Sequence, residues 1–334
     1  MNENIYNTLN EDTNIQTIFE LKEYINKLMI ILKKREEIKN NKDIDYITKK
    51  ITLNSLQNEE NEIKSYILHG ISIKDNNFKE VIIKIIINFL KTYNFTEEEI
   101  RANLSEIKLF TSDINLVYGG NLVTVGNNIG IDYEYVDFDK DGYYKSFKDN
   151  EIKFLQYTLT HEFFHKYSAF KKDSRFCVND DALSEGFTDM LALMATNAYE
   201  YKSQKYDFLV KICTLLTNII GMNEILDDYI NHIDSWPNLK NFFNKMNLNE
   251  TDFNKFHARL NEILELTYQQ ANNKELIDII NIKKQEIIIF IKEKILIPYL
   301  EKNPNKIEEL NELFNSIFSE YNINLYVRKS TFEK

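Results

Sequence analysis

Residues 158–168 read T-L-T-H-E-F-F-H-K-Y-S, and within them His161-Glu162-Phe163-Phe164-His165 spells HExxH. On a helix, residues four apart share one face, with Cβ atoms about 5–6 Å apart. Two imidazoles at that spacing reach one zinc ion at about 2.0–2.1 Å each. Glu162 then points into the same cleft without ligating, placed to take a proton from a metal-activated water. The surroundings favour a helix over about 151–170. No Gly or Pro interrupts it, and Ile152, Leu155, Leu159 and Phe163 form an apolar ridge. Asp149 or Asn150 is available to cap its start, and Phe163 and Phe164 bury the back of the motif. Histidine is scarce, five in 334 residues, so a chance HExxH is rare.

A catalytic zinc site needs three protein ligands and one open position. The third ligand is readable twenty residues on, where the chain runs L-S-E-G-F-T-D-M-L. Glu185 and Asp189 are four apart and share one face of a second helix. Glu185 can ligate the metal. Asp189 can accept the spare N–H of a ligand histidine and fix its orientation. Gly186, beside the ligand, would let these two helices approach closely, and Asp180 or Asp181 can cap the second.

HEFFH followed by SEGFTD resembles the gluzincin group of zinc metallopeptidases, the thermolysin-like and aminopeptidase-N-like enzymes. The resemblance covers about 60 residues, 129–190. It implies a zincin-like core with one zinc held by His161, His165 and Glu185, with Glu162 as general base and Asp189 supporting a ligand histidine. It also implies that the strand before the active-site helix, read as 129–136, lines the cleft and pairs with an extended peptide. Lys166 departs from the pattern, which usually has an uncharged residue there. The residue that steadies the oxyanion has no motif. His232 is the candidate chosen, with His257, Tyr199 and Tyr201 as alternatives.

Outward from this core the chain is mostly helical. Residues 1–12 are polar. Ile15, Phe19, Leu21, Ile25, Leu28, Ile31 and Leu32 make one face of a long helix. Further helices are expected at about 44–68, 78–93 and from Thr96, whose Glu99 completes a capping-box pattern. The texture turns β-rich near Asp113. Strands are expected at 116–118, 122–125 and 129–135, with turns at Gly119-Gly120-Asn121 and Gly126-Asn127-Asn128. Helices are then expected at about 181–200, 203–220, 222–234, 251–270, 274–300 and 305–320, with breaks at Trp236-Pro237 and Asn303-Pro304. The fold class is α+β, mostly helical, with a small sheet preceding the active-site helix. The regions are 1–110, helical and of unassigned role; 111–200, the catalytic core; and 201–334, helices completing the cleft.

Composition narrows the function. Gly (8) and Pro (3) are few, as befits many helices. A net charge of −11 without a basic block argues against nucleic acid or an anionic membrane as partner. No apolar run is long enough to span a bilayer. The first residues lack a signal-peptide pattern, so a cytoplasmic location is expected. There is no CxxC. Cys213 reads as a buried small hydrophobe and Cys177 as an exposed loop thiol. Asp137 to Gly142 begins like an EF-hand loop, but position 12 is Lys148, so an acidic turn is expected there. His69 falls at a helix end and reads as structural.

The expected activity is zinc-dependent hydrolysis of peptide bonds, with a peptide or protein as substrate. Three other readings compete with it, one of them a metallohydrolase with a non-peptide substrate. A catalytically inactive relative would bind metal but lack an open fourth position. A non-metal helical protein would turn both histidines into its core.

Overall fold

The computed structural model describes residues 15–118, 122–125, 127–170, 181–201, 205–233, 235–270, 273 and 275–328. The expected turn at 119–121, the loop holding Cys177, and Asp180 lie outside them. The chain is mostly helical with one small mixed sheet. It divides into two compact units. One holds Met1–Ile83 and Leu104–Thr158, the other Lys84–Asn103 and Leu159–Lys334.

The first unit begins with a helical hairpin, α1 (Ile18–Asn40) and α2 (Tyr46–His69). Thr17 and Glu20 close a capping box at the start of α1. Asp45 caps α2 by accepting Ile47 N and Thr48 N, each at 3.0 Å. Inside the hairpin, buried Glu60 is met by Arg35 and Lys64, so its charge is compensated. Gly70 ends α2 at φ +54, and a Cβ there would lie 2.5 Å from the Thr111 carbonyl oxygen. Conformation and space both demand glycine at that turn.

After Gly70 the chain enters β1 (Ile71–Ile73), then α3 (Asn76–Lys91) and α4 (Glu97–Leu104). β2 (Lys108–Ser112), α5 (Ile114–Tyr118), β3 (Leu122–Val125) and β4 (Asn128–Asp132) follow. The sheet order is β1-β2-β4-β3, with β2 and β4 parallel and the other pairs antiparallel. A two-stranded hairpin, β5 (Val136–Phe138) and β6 (Tyr144–Phe147), precedes α6 (Ile152–Phe170).

Several expectations are corrected here. Residues 116–118 are helical, not extended. Asp113 accepts Leu116 N at 2.9 Å and Asp132 accepts Asn115 N at 2.8 Å, which together cap α5. The strand read over 129–135 stops at Asp132, whose other oxygen accepts Glu134 N at 3.0 Å and opens a 3-10 turn over Tyr133–Tyr135. One buried carboxylate thus ends a strand and starts two helical turns. The strand directly before the helix that carries HExxH is β6, not 129–136. The acidic stretch 137–142 ends β5 and then makes the hairpin turn, with Asp139 accepting Asp141 N and Tyr143 N. β1, β2, β5 and β6 were not anticipated.

The second unit is helical. Within it α7 (Ala182–Thr196) is buried from Ala182 to Leu193, which marks a central helix. α8 (Asp207–Ile220) packs against it. A Cβ on Gly186 would lie 2.7 Å from Cys213 Sγ and 2.9 Å from Leu209 Cβ of α8, so glycine sets that approach. Then come α9 (Met222–Asn231), α10 (Pro237–Lys245) and α11 (Glu250–Gln270). α12 (Leu276–Phe290) continues through a π-helical stretch, Ile291–Leu296, into α13 (Ile297–Lys302), and α14 (Ile307–Phe318) follows. Trp236 packs on Phe187, and Phe243 on Phe253 and Phe256. Each such side chain contributes about 1.5–3 kcal/mol by leaving water. Among the described residues no single helix is long and apolar enough to cross a membrane.

Candidate metal centre

α6 carries the HExxH motif. The helix is entered through a 3-10 turn, Asp149–Glu151. Leu155, Leu159, Phe163 and Phe164 are fully buried. Phe164 meets Phe89 of α3 edge-on, with centroids 6.1 Å apart. That anchorage fixes the rotation of α6 and so the face that its histidines occupy. Lys166 is buried as well.

α7 supplies the opposing side. Asp181 caps it by accepting Leu183 N at 3.1 Å, and His257 Nε2 lies 2.5 Å from the same Asp181 Oδ1. His257 therefore serves the helix start. From there the 3.6-residue repeat brings Glu185, Thr188 and Asp189 to one face.

His161, His165 and Glu185 converge, each offering a ligand atom within 4.8 Å of the others. The two Nε2 atoms are 3.1 Å apart. Glu185 Oε2 lies 3.5 Å from His161 Nε2, and Oε1 lies 3.5 Å from His165 Nε2. Ligands on one tetrahedral ion at 2.0–2.1 Å stand about 3.3–3.4 Å apart. The donor set fits a metal ion in spacing and in chemistry.

The second ring nitrogens are engaged elsewhere. His161 Nδ1 lies 3.1 Å from Asp189 Oδ1, so its N–H donates to that carboxylate and Nε2 keeps its lone pair. His165 Nδ1 lies 3.3 Å from Thr188 Oγ1. Both rings therefore turn the correct nitrogen to the centre.

The electrostatics agree. Burial works against a charge on His161, but the bonds to Asp189 and Glu185 outweigh it and push its pKa up to about 10. Burial also opposes ionisation of Glu185, and His165 and His161 overcome it, holding the carboxyl well below the usual range. The centre favours positive charge between its ligands, and a cation satisfies that demand as well as a proton does.

Of the oxyanion candidates, His232 is exposed at the C-terminal end of α9 and Tyr199 is exposed. Tyr206, just before α8, lies on the cluster. Its ring stacks on His161, with centroids 5.8 Å apart at 14°. Burial, and then the Glu185 charge, raise its phenol far above the ordinary value. Sequence reading missed Tyr206, which follows no motif. It also missed Thr188, although position 188 shares a helical face with 185.

No family model, curated protein or solved structure matches the chain.

Proposed function

We propose that the protein is a zinc-dependent metallopeptidase. The observation that carries this reading is the convergence of His161 Nε2, His165 Nε2 and Glu185 on one point, with each Nδ1 already engaged. A zinc ion held there supplies Lewis acidity toward a carbonyl oxygen and a water acidic enough to react near neutral pH. The chain's own residues do the rest. His161, His165 and Glu185 would hold the ion. Asp189 keeps the His161 ring in place through its Nδ1–H. Glu162, whose charge acts on His161, takes the proton and returns it to the leaving amine. Tyr206, lying on His161, displaces His232 as the group to steady the oxyanion.

One observation favours a second reading. The Tyr206 hydroxyl, on which the Glu185 charge acts, lies 3.4 Å from that of Tyr268. A phenol held near a ligand in this way suits a closed centre that binds metal without turnover. The test is elemental analysis of protein purified without added metal, followed by digestion of a mixed peptide library. One zinc per chain, with cleavage lost in Glu162→Gln, supports the peptidase. Zinc without cleavage supports the closed binder. No metal, even after zinc is offered, overturns both.

A further inference from the structure

The two histidines are supported by different chemistry. His161 has a carboxylate behind it. His165 has Thr188, and behind Thr188 stands Tyr229 of α9, fully buried. Thr188 Oγ1 makes three short contacts: 2.7 Å to the Ser184 carbonyl, 2.6 Å to Tyr229 Oη and 3.3 Å to His165 Nδ1.

A hydroxyl has one proton to give and two lone pairs with which to accept. The Ser184 carbonyl can only accept, so it takes the Thr188 proton. Thr188 is then an acceptor toward its other two neighbours. Tyr229 must donate its phenolic hydrogen, and His165 must donate from Nδ1. A proton on Nδ1 leaves the His165 lone pair on Nε2, the atom 3.1 Å from His161 Nε2. The oxygen's capacity is filled, and the tautomer of His165 follows from the count. Burial raises the Tyr229 phenol against the opposing bonds with Thr188 and Ser168 and keeps it neutral, so its O–H requires an acceptor.

We propose that Thr188 and Tyr229 form a positioning brace for the metal. Thr188 sets the His165 tautomer, and Tyr229 holds the Thr188 oxygen in the accepting state. The proposal rests on the metal reading above. The brace is neutral, whereas Asp189 carries a charge. The brace also joins α6, α7 and α9, so the position of α9 is felt at the metal.

The test uses the full-length chain and three variants, Thr188→Val, Thr188→Ser and Tyr229→Phe. Zinc affinity is read by competition with a chromophoric chelator. The cobalt-substituted forms are compared by visible absorption, and the metal-free forms by thermal unfolding. Thr188→Val should weaken zinc about 10–100-fold and alter the cobalt spectrum. Thr188→Ser, which restores the hydroxyl, should return both close to wild type. Tyr229→Phe should weaken zinc by less than Thr188→Val. Should Thr188→Val fail to fold, Tyr229→Phe decides against the same wild-type value. Wild-type zinc affinity and cobalt spectrum in Thr188→Val and Tyr229→Phe, with only lowered melting temperatures, overturn the brace. A wild-type chain that binds no metal overturns the metal reading, and the brace with it.

Discussion

Nε2 of His161 lies 3.1 Å from Nε2 of His165, while Nδ1 of each ring is committed to Asp189 or Thr188. Two lone pairs that face each other at this distance repel unless positive charge lies between them. A proton answers that need in the metal-free chain, as the raised His161 pKa records. A divalent ion answers it better, because Glu185 is there to complete the charge balance.

Zinc should therefore stabilise the fold. Binding to the native state alone contributes about 2.7 kcal/mol when free zinc is 100-fold above its dissociation constant. Differential scanning calorimetry with zinc and with chelator should show the higher midpoint with zinc. His161→Ala should erase the difference. Equal midpoints in the wild type would count against the centre.

Glu162 is a base in the reading above and not a ligand. Glu162→Gln should keep zinc at one per chain while peptide cleavage falls by at least about 10²–10⁴-fold. Retained turnover removes Glu162 from that role. Lost zinc would instead make it a ligand.

Asp189 is buried against His161. Asp189→Ala should weaken zinc by about 10–100-fold, and Asp189→Asn by less, since one acceptor oxygen survives. Chelator competition measures both. Unchanged affinity would reduce Asp189 to a packing residue.

The HExxH helix and the Glu185–Asp189 helix were legible because their signals are local. Four-residue spacing on an uninterrupted helix fixes a shared face before any packing is known. The Asp181 cap and the close contact at Gly186 were legible for the same reason, although Gly186 meets α8 and not α6. What failed depended on distant partners. Residues 116–118 have strand-like side chains, yet the Asp132 carboxylate, 17 positions from Asn115, makes that segment helical. The same carboxylate cuts the expected strand short. Tyr229 reaches Thr188 across 41 positions, and no periodicity records such a pairing. Tyr206 was missed likewise, because its place on His161 comes from folding and not from spacing.

Gly186 offers a stability test of the contact between α7 and α8. Gly186→Ala places a methyl 2.7 Å from Cys213 Sγ and 2.9 Å from Leu209 Cβ. Such overpacking costs about 1–3 kcal/mol, more than the helix propensity that alanine returns. Chemical denaturation should show a lower midpoint. A midpoint at or above wild type would mean that α8 yields easily.

The start of α10 rests on a single carboxylate. Pro237, its first residue, has no N–H, and Lys240 N already bonds to the Trp236 carbonyl at 2.9 Å. The two remaining amides, Asn238 N and Leu239 N, reach Asp228 Oδ1 and Oδ2 at 2.9 and 2.8 Å. Asp228 belongs to α9 and is fully buried, so no water can replace it easily. Asp228→Ala should cost about 2 kcal/mol or more, since both amides lose their acceptor. Burial, the largest influence, raises the Asp228 pKa, with Asp227 adding to it and the two amides opposing. The folded chain therefore holds this proton to a higher pH than the unfolded chain does. Its contribution to stability is greatest below the unfolded value, near 3.8, and declines as pH rises through the folded value. Asp228→Asn should flatten that decline in a series of denaturation curves across acidic pH. An unaltered slope would show that Asp228 does not titrate differently on folding, and an unaltered midpoint in Asp228→Ala would show that α10 starts without it.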